Sequence, residues 1–360
     1  MELDEILNEL QNAKQKDEKF DNILGSMCTM PHEIAIKAYE MFIETNLGDY
    51  EIFRGTKELE DKAIEFVANF LHAPPNYGGM ITSGGTESNI VALWIFKKLS
   101  NKNEVLIPEH AHFSFIKASS LLDLKLKVIK CNYRMKAKHV KRKISPNTAC
   151  VVAVAGNTSF GYIDEIEEIA EICRDENVFL HVDAAFGGFV IPFVSNKKFD
   201  FRAKIDSICI DAHKMGMACI PCGFLLLREK KWIEEIRIRS RCTHTKFQAS
   251  LLGTRPGAAA ASAYAVMKFL GVRGYEKLVK KCMENTIYLK KLLDDNGIEY
   301  VEPELNIIAI KVGNVEKVAK KLKWRVGIDE ENGIIRVVVM PHVRKITLEK
   351  FVKDLKFTLK

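Results

Sequence analysis

The chain has no apolar run near the roughly 18 residues that a membrane-spanning helix needs, and its first residues, MELDEILNEL, are acidic where an export signal would be basic. A soluble, cytoplasmic protein is expected. It also lacks internal repeats, low-complexity tracts and Pro/Gly/Ser linkers, so any domain boundary must fall inside a structured connection. Its nine cysteines are an odd number without regular spacing. In a chain without an export signal this excludes a disulfide framework and leaves most of them as small buried hydrophobes. Glutamine is nearly missing, occurring only at 11, 15 and 248, while lysine and glutamate abound, a composition that leans towards a thermophilic source. Neither sign of charge dominates. Lys plus Arg number 54 against 47 Asp plus Glu, and a formal charge of +7 over 360 residues favours anionic ligands only weakly.

What remains is an ordinary globular mixture, 47% hydrophobic and 28% charged, long enough for one large and one smaller domain. Residues 1–75 read as a polar-faced helical arm ending in the breaker His72-Ala73-Pro74-Pro75-Asn76. Short apolar runs then alternate with helical stretches. They lie at Val105–Ile107, Lys125–Ile129, Cys150–Ala155, Val178–Val182, Ser207–Ile210 and Phe224–Leu227. β-Branched residues on both faces of such strands imply a mainly parallel sheet covered on both sides, an α/β domain over 76–255. Residues 256–360 read as a connecting helix, Ala258–Asn296, followed by a small C-terminal α+β domain with strands at Asn306–Val312 and Ile334–Met340.

Sites in open α/β sheets lie at the carboxyl ends of strands, and three segments carry chemistry there. Val178-Phe179-Leu180-His181-Val182-Asp183 ends a buried strand in an acid, and Ile208-Cys209-Ile210-Asp211-Ala212-His213-Lys214 sets a lysine just past the next one. Upstream, Thr82-Ser83-Gly84-Gly85-Thr86 forms a Gly-rich turn entering a helix, where free N–H groups and the positive dipole end suit a phosphate. No lysine follows the glycines as in a Walker A loop, and the spacing is not G-x-G-x-x-G. Phosphate cradle, acid and lysine together form the set that pyridoxal phosphate requires: phosphate held, pyridine nitrogen paired to a carboxylate, aldehyde bound as a lysine Schiff base.

These segments resemble the group II pyridoxal-phosphate decarboxylases of fold type I, the family of glutamate, aromatic-amino-acid and tyrosine decarboxylases. The likeness is strongest to the family's archaeal tyrosine/aspartate branch. It is carried by Gly25-Ser26-Met27-Cys28, Glu44 to Asp49, Ser83 to Glu87, Ala111-His112-Phe113-Ser114-Phe115, His181 to Gly188, His213-Lys214-Met215-Gly216, Leu252-Gly253-Thr254-Arg255 and Val338 to His342, nearly the whole chain. The resemblance implies that Lys214 carries the cofactor, Asp183 pairs with its ring nitrogen and His112 stacks on its face. It also implies that Gly85, Thr86 and His213 hold the phosphate, Thr158 and Ala185 border the ring, and Arg336 receives the substrate α-carboxylate. A homodimer with a shared active site is implied as well. So is decarboxylation of L-aspartate to β-alanine or L-tyrosine to tyramine, feeding coenzyme A or methanofuran synthesis.

The family has a loop tyrosine before the Leu-Gly-Thr-Arg motif, but residues 239–249 contain none, and the corresponding position falls on Cys242 with His244 nearby. That departure keeps other pyridoxal-phosphate reactions open: transamination, aldehyde formation or sulfur transfer. The same segment is basic, with Arg237, Arg239, Arg241 and Lys246, which suits an acidic side chain better than a phenol. An RNA-dependent pyridoxal-phosphate enzyme is the rival from another class, although no interleaved aromatics accompany the arginines and nucleic acid is not expected as a partner. Cys219-Ile220-Pro221-Cys222 lacks a second pair and reads as packing cysteines, and His110-Ala111-His112 has no nearby acidic ligand, so no metal is expected.

Overall fold

The strand β4 (Thr148–Val154) buries all seven of its residues, and its sequence Thr-Ala-Cys-Val-Val-Ala-Val shows no polar alternation because both faces are covered. In the computed structural model, which describes residues 3–359, β4 belongs to a seven-stranded sheet. The other strands are β1 (Gly78–Thr82), β2 (Glu104–Pro108), β3 (Lys125–Ile129), β5 (Phe179–Asp183), β6 (Ser207–Ile210) and β7 (Gly223–Leu227). Their order is β1-β7-β6-β5-β4-β2-β3. Only β7 is reversed, pairing antiparallel with both β1 and β6, so the sheet is mainly parallel as its apolar runs imply. The helices Gly85–Ser100 and Ile166–Asp175 pack on β4 and β5. Ile90, Val91 and Phe96 of the first helix join Val105, Ile107, Val152 and Leu225 in one core cluster.

The chain divides into two compact units, and their boundaries differ from those expected at 75/76 and 255/256. The larger unit spans 31–281 with 303–305; the smaller holds the described residues up to Met30, with 282–302 and those from 306 onwards. Residues 31–75 therefore belong mostly to the sheet domain and form no separate arm. The helix Arg54–Phe70 packs on β1, where a Cβ on Gly79 would meet Ile64, so the glycine leaves room for the isoleucine. The helical run Gly257–Asp295 is interrupted at Gly271 (φ +55°), and just beyond the interruption the buried Tyr275 donates its hydroxyl to Gly216 O at 2.9 Å, within the larger unit.

The smaller unit contains an antiparallel sheet of order β10-β11-β13-β12. β11 (Ile307–Lys311) and β13 (Ile334–Val338) fall within the expected strands, whereas β10 (Tyr300–Val301) and β12 (Gly327–Asp329) are too short to show a period. The remaining pair, β8 (Ile238–Arg239) and β9 (Phe247–Gln248), makes a hairpin in the larger unit. No helix among the described residues is long and apolar enough to cross a membrane.

Arg255 ties several parts of the larger unit together. Its guanidinium meets Glu60 (Nη1–Oε1 2.5 Å) and donates to Ile81 O and Leu47 O, both at 3.1 Å. Burial raises the Glu60 pKa, but Arg255 and Lys57 outweigh it and hold the carboxyl below its usual value. Glu60→Gln should cost about 3 kcal/mol at neutral pH, because it leaves a buried guanidinium without its counter-charge. Since the folded-state pKa is depressed, this stability is present above the unfolded value near ~4.3 and is lost as pH falls through the folded one. Thermal melts should therefore show a Tm gap between wild type and variant that closes on acidification; a gap independent of pH would contradict the ion pair.

Candidate active site

The carboxyl ends of the parallel strands lie along one edge of the sheet. The register sets Asp183, the last residue of β5, beside Val154 of β4 and Cys209 of β6. β6 ends at Ile210 and leads directly into Asp211, His213 and Lys214. Because β7 reverses between them, β1 runs in the same direction as β6, and its end delivers the turn Ser83-Gly84-Gly85 to the same edge.

That turn approaches its neighbours too closely for side chains. Gly84 has φ +136°, which disfavours any L side chain, and a Cβ there would lie 3.0 Å from His213 Cε1. A Cβ on Gly85 would lie 3.2 Å from both Ala185 Cβ and Asp211 Oδ2. Ser83 N–H already donates to Glu87 at 2.7 Å, whereas the N–H groups of Gly85 and Thr86 start the helix and have no partner within it. The loops after β1, β5 and β6 thus form a cradle edged by backbone donors, with the positive end of a 16-residue helix behind it. Such a cradle fits a phosphate.

Lys214 Nζ lies 3.1 Å from Asp211 Oδ2. Burial pushes its pKa down, but the carboxylates of Asp211 and Asp183 outweigh burial and hold it above the ordinary lysine value. Asp211 is itself buried, a role unassigned from sequence although the residue sits in the strand-end segment that contains Lys214. His213 Nδ1 lies 2.7 Å from Cys222 O and 3.2 Å from Cys222 N, which fixes the ring, while Nε2 stands 3.8 Å from Asp211, beyond hydrogen-bond reach.

Asp183 accepts from Asn89 Nδ2 (3.0 Å), Ala185 N–H (3.1 Å) and the Cys209 thiol (3.4 Å). Asn89 too escaped the sequence reading. Its signal was its spacing, one helical turn after Gly85 on the face that meets the sheet. His112 is half-buried, and its Nδ1 accepts the Ser114 N–H at 3.2 Å, leaving the proton of the neutral ring on Nε2. Burial, the main cause, and the charge of Lys214 lower its pKa against the opposing pull of Asp183 and Asp211, so the ring is neutral at pH 7. Thr158 is half-buried in the loop that follows β4 and Ala185 is buried beside Gly85. Arg336 lies on β13 of the smaller unit, opposite Ala309 and Gly327, and donates to Gly25 O at 3.0 Å.

The remaining candidates have structural partners. His110 does not stand open beside His112: its Nε2 is 3.2 Å from Asp164 Oδ1 and its Nδ1 3.7 Å from Cys131 Sγ. Burial opposes its charge, but Asp164 and Cys131 raise the pKa to about 9. Cys219 and Cys222 are free thiols, and burial pushes the Cys222 thiol up. The hairpin β8–β9 is fastened to Asp49, which accepts from His244 N–H (3.1 Å) and Thr245 N–H (2.8 Å), with His244 Nδ1 at 3.3 Å.

Residues 13–316 match the pyridoxal-dependent decarboxylase conserved domain. The chain belongs to the pyridoxal-dependent decarboxylase family. It is 42% identical to the probable L-aspartate decarboxylase of Pyrococcus abyssi, over 99% of this chain and 97% of that one. With the probable L-tyrosine/L-aspartate decarboxylase of Methanocella arvoryzae it shares 43% identity, over 98% of this chain and 97% of the relative. Its fold superposes on the glutamate decarboxylase of Lactobacillus brevis with a TM-score of 0.91, at 20% identity and covering 99% and 92% of the two chains. The protein is a pyridoxal-phosphate-dependent amino-acid decarboxylase of fold type I.

The charge state of Lys214 follows from Asp211. In Asp211→Asn the main carboxylate opposing burial is gone, so the amine should titrate lower. The pH midpoint for association of pyridoxal phosphate with the apoprotein, which needs the free amine, should move to lower pH. A midpoint unmoved by the substitution would show that Asp211 does not set the lysine's charge.

Proposed function

We propose that this chain removes the α-carboxylate of L-aspartate, giving β-alanine and CO2, with Lys214, Asp183 and the Gly84–Gly85 turn as the cofactor site. When bound, pyridoxal phosphate supplies an electron sink for the pair left on the substrate Cα as CO2 departs. The protein's part is to hold and orient. Lys214 offers the amine that takes the cofactor aldehyde, and Asp211 sets when that amine carries a proton. The N–H groups of Gly85 and Thr86, with His213, bind the phosphate, while the Asp183 carboxylate keeps the ring nitrogen protonated. The neutral His112 offers a flat face to the ring, bordered by Thr158 and Ala185. Arg336 takes the substrate α-carboxylate, for which a planar guanidinium with two parallel donors is suited.

The choice of aspartate rests on one observation. Arg239, Arg241 and Lys246 are exposed on the β8–β9 hairpin, and none of them forms an ion pair among the described residues. A second substrate carboxylate brings a second negative charge, which must find a cation or lose several kcal/mol on leaving water. Three unpaired cations on one hairpin answer that need; a phenol would call for an apolar pocket instead. The relative from Pyrococcus abyssi, named for aspartate alone, supports the same choice.

A second copy of the chain completes the assembly in this reading. The helix Leu3–Lys14 buries none of its residues, yet Leu3, Leu7 and Leu10 share one face and are 71%, 45% and 60% exposed. An apolar stripe of that kind is what a homodimer would cover.

Incubation of holoprotein with a panel of L-amino acids, measuring CO2 and identifying each amine, tests the substrate. β-Alanine from aspartate should form with the highest kcat/KM, and Lys214→Ala should abolish turnover and borohydride-stable labelling by the cofactor. Arg239→Ala or Arg241→Ala should raise KM for aspartate about tenfold while leaving that for tyrosine nearly unchanged, the loss of one charge-assisted contact. Preferred turnover of tyrosine with aspartate kinetics untouched by these substitutions would overturn the charge argument, and products other than amine and CO2 would point to another pyridoxal-phosphate reaction.

A further inference from the structure

A chain of buried polar side chains runs away from Asp183 into the interior. Asn89, His181 and Ser207 are almost wholly excluded from solvent. Asn89 Nδ2 donates to Asp183 Oδ2 at 3.0 Å and to Ser114 Oγ at 2.9 Å. Asn89 Oδ1 meets His181 Nε2 at 2.8 Å, and His181 Nδ1 meets Ser207 Oγ at 2.7 Å. Ser207 and His181 are cross-strand partners in the β5–β6 register.

The direction of every proton in this chain is forced. A carboxylate only accepts, so the amide must turn its NH2 towards Asp183 and its oxygen towards His181. An amide oxygen also only accepts, so His181 carries its proton on Nε2. Burial lowers the His181 pKa to about 4, so the ring is neutral; Nδ1 is then a bare acceptor and the Ser207 hydroxyl donates to it. No member can flip without leaving a buried polar atom unpaired. The relay is thereby locked in one orientation.

Its terminus matters for the chemistry. Asp183 Oδ1 accepts from Ala185 N–H, and the single hydrogen of the Cys209 thiol is shared between it, at 3.4 Å, and Asn89 Oδ1, at 3.2 Å; Oδ2 accepts only the amide of Asn89 among these contacts and keeps a lone pair to spare. The oxygen that the relay holds therefore has capacity to spare. We propose that Asn89 and His181 are positioning residues of the decarboxylase, fixing Asp183 Oδ2 so that its free lone pair meets the pyridine nitrogen of pyridoxal phosphate. This rests on the assignment of Asp183 to that nitrogen, and the experiment separates the two.

Four variants are compared with wild type: Asn89→Leu, His181→Phe, His181→Gln, which keeps a donor where Nε2 stood, and Asp183→Asn. For each, the readouts are pyridoxal phosphate affinity, the pH midpoint of the bound cofactor's visible band, kcat and KM, with thermal melts as the control for folding. Asn89→Leu and His181→Phe should weaken cofactor binding about tenfold and lower kcat more than they raise KM, the scale of one hydrogen bond to a charged group. Both should displace the midpoint in the same direction as Asp183→Asn but less far, and His181→Gln should restore it. Placed on Asp183→Asn, the Asn89→Leu change should add almost nothing. In wild-type apoprotein, 15N shifts should show His181 protonated on Nε2 and not on Nδ1 at pH 6, a readout that stands even if His181→Phe fails to fold. If Asp183→Asn leaves affinity and midpoint unchanged, the assignment of Asp183 is wrong. If Asp183→Asn moves them while Asn89→Leu does not, or if His181 is an imidazolium or the Nδ1–H tautomer at pH 6, the relay is overturned and the assignment of Asp183 stands.

Discussion

Two buried carboxylates less than thirty residues apart in sequence, Asp183 and Asp211, dominate the active-site edge of the sheet, and much of the surrounding structure answers their charge. A carboxylate withdrawn from water is costly unless donors or cations surround it. Asp211 has Lys214 at 3.1 Å, and Asp183 has the amide of Asn89, the N–H of Ala185 and the Cys209 thiol. The helix that begins at Gly85 satisfies both ends of this requirement. Its first turn passes so close to Asp211 that a Cβ on Gly85 would lie 3.2 Å from the carboxylate, and its second turn carries Asn89 to Asp183.

The same electrostatic balance recurs away from the site. Glu60 is matched to Arg255, and Asp164 meets His110 while accepting the Met135 and Val154 N–H groups at 2.7 Å. Each of these carboxylates anchors a loop that follows or precedes a strand. The loops that make up the cradle are held in the same way, by Asp183 accepting the Ala185 N–H and by Asp211 beside Lys214, as well as by the apolar sheet core. That is the condition under which a site built from N–H groups and short side chains can orient a ligand.

The β8–β9 hairpin obeys a different logic. It presents exposed cations and is fastened chiefly through Asp49, whose oxygens accept from His244 and Thr245, and through Gln248, which donates to Gly48 O at 2.6 Å. Few apolar contacts accompany these bonds, and most hairpin residues are exposed. Segments with that profile open at low cost.

The sequence determined much by itself. Runs such as Thr148–Val154 and Ser207–Ile210 announce covered strands because a parallel sheet buries both faces, and Asp183, Lys214 and Gly84-Gly85 stand at or just past the strand ends, the edge where sites of open α/β sheets lie. Tertiary structure decided what lies at long range or in very short elements. β10 and β12 have two and three residues, below the length at which alternation can be seen. The reversal of β7, which brings the end of β1 to the site, is a matter of pairing that no local pattern encodes. Residues 31–75 join the sheet domain through packing on β1, against the polar face that suggested an arm. Asn89 and His181 read as a helix residue and a strand residue 92 positions apart, and only the packing of that helix across β5 and β6 makes them hydrogen-bonded neighbours. Local propensity is written in consecutive residues; which buried polar atom meets which is settled only when the layers close and each must find a partner.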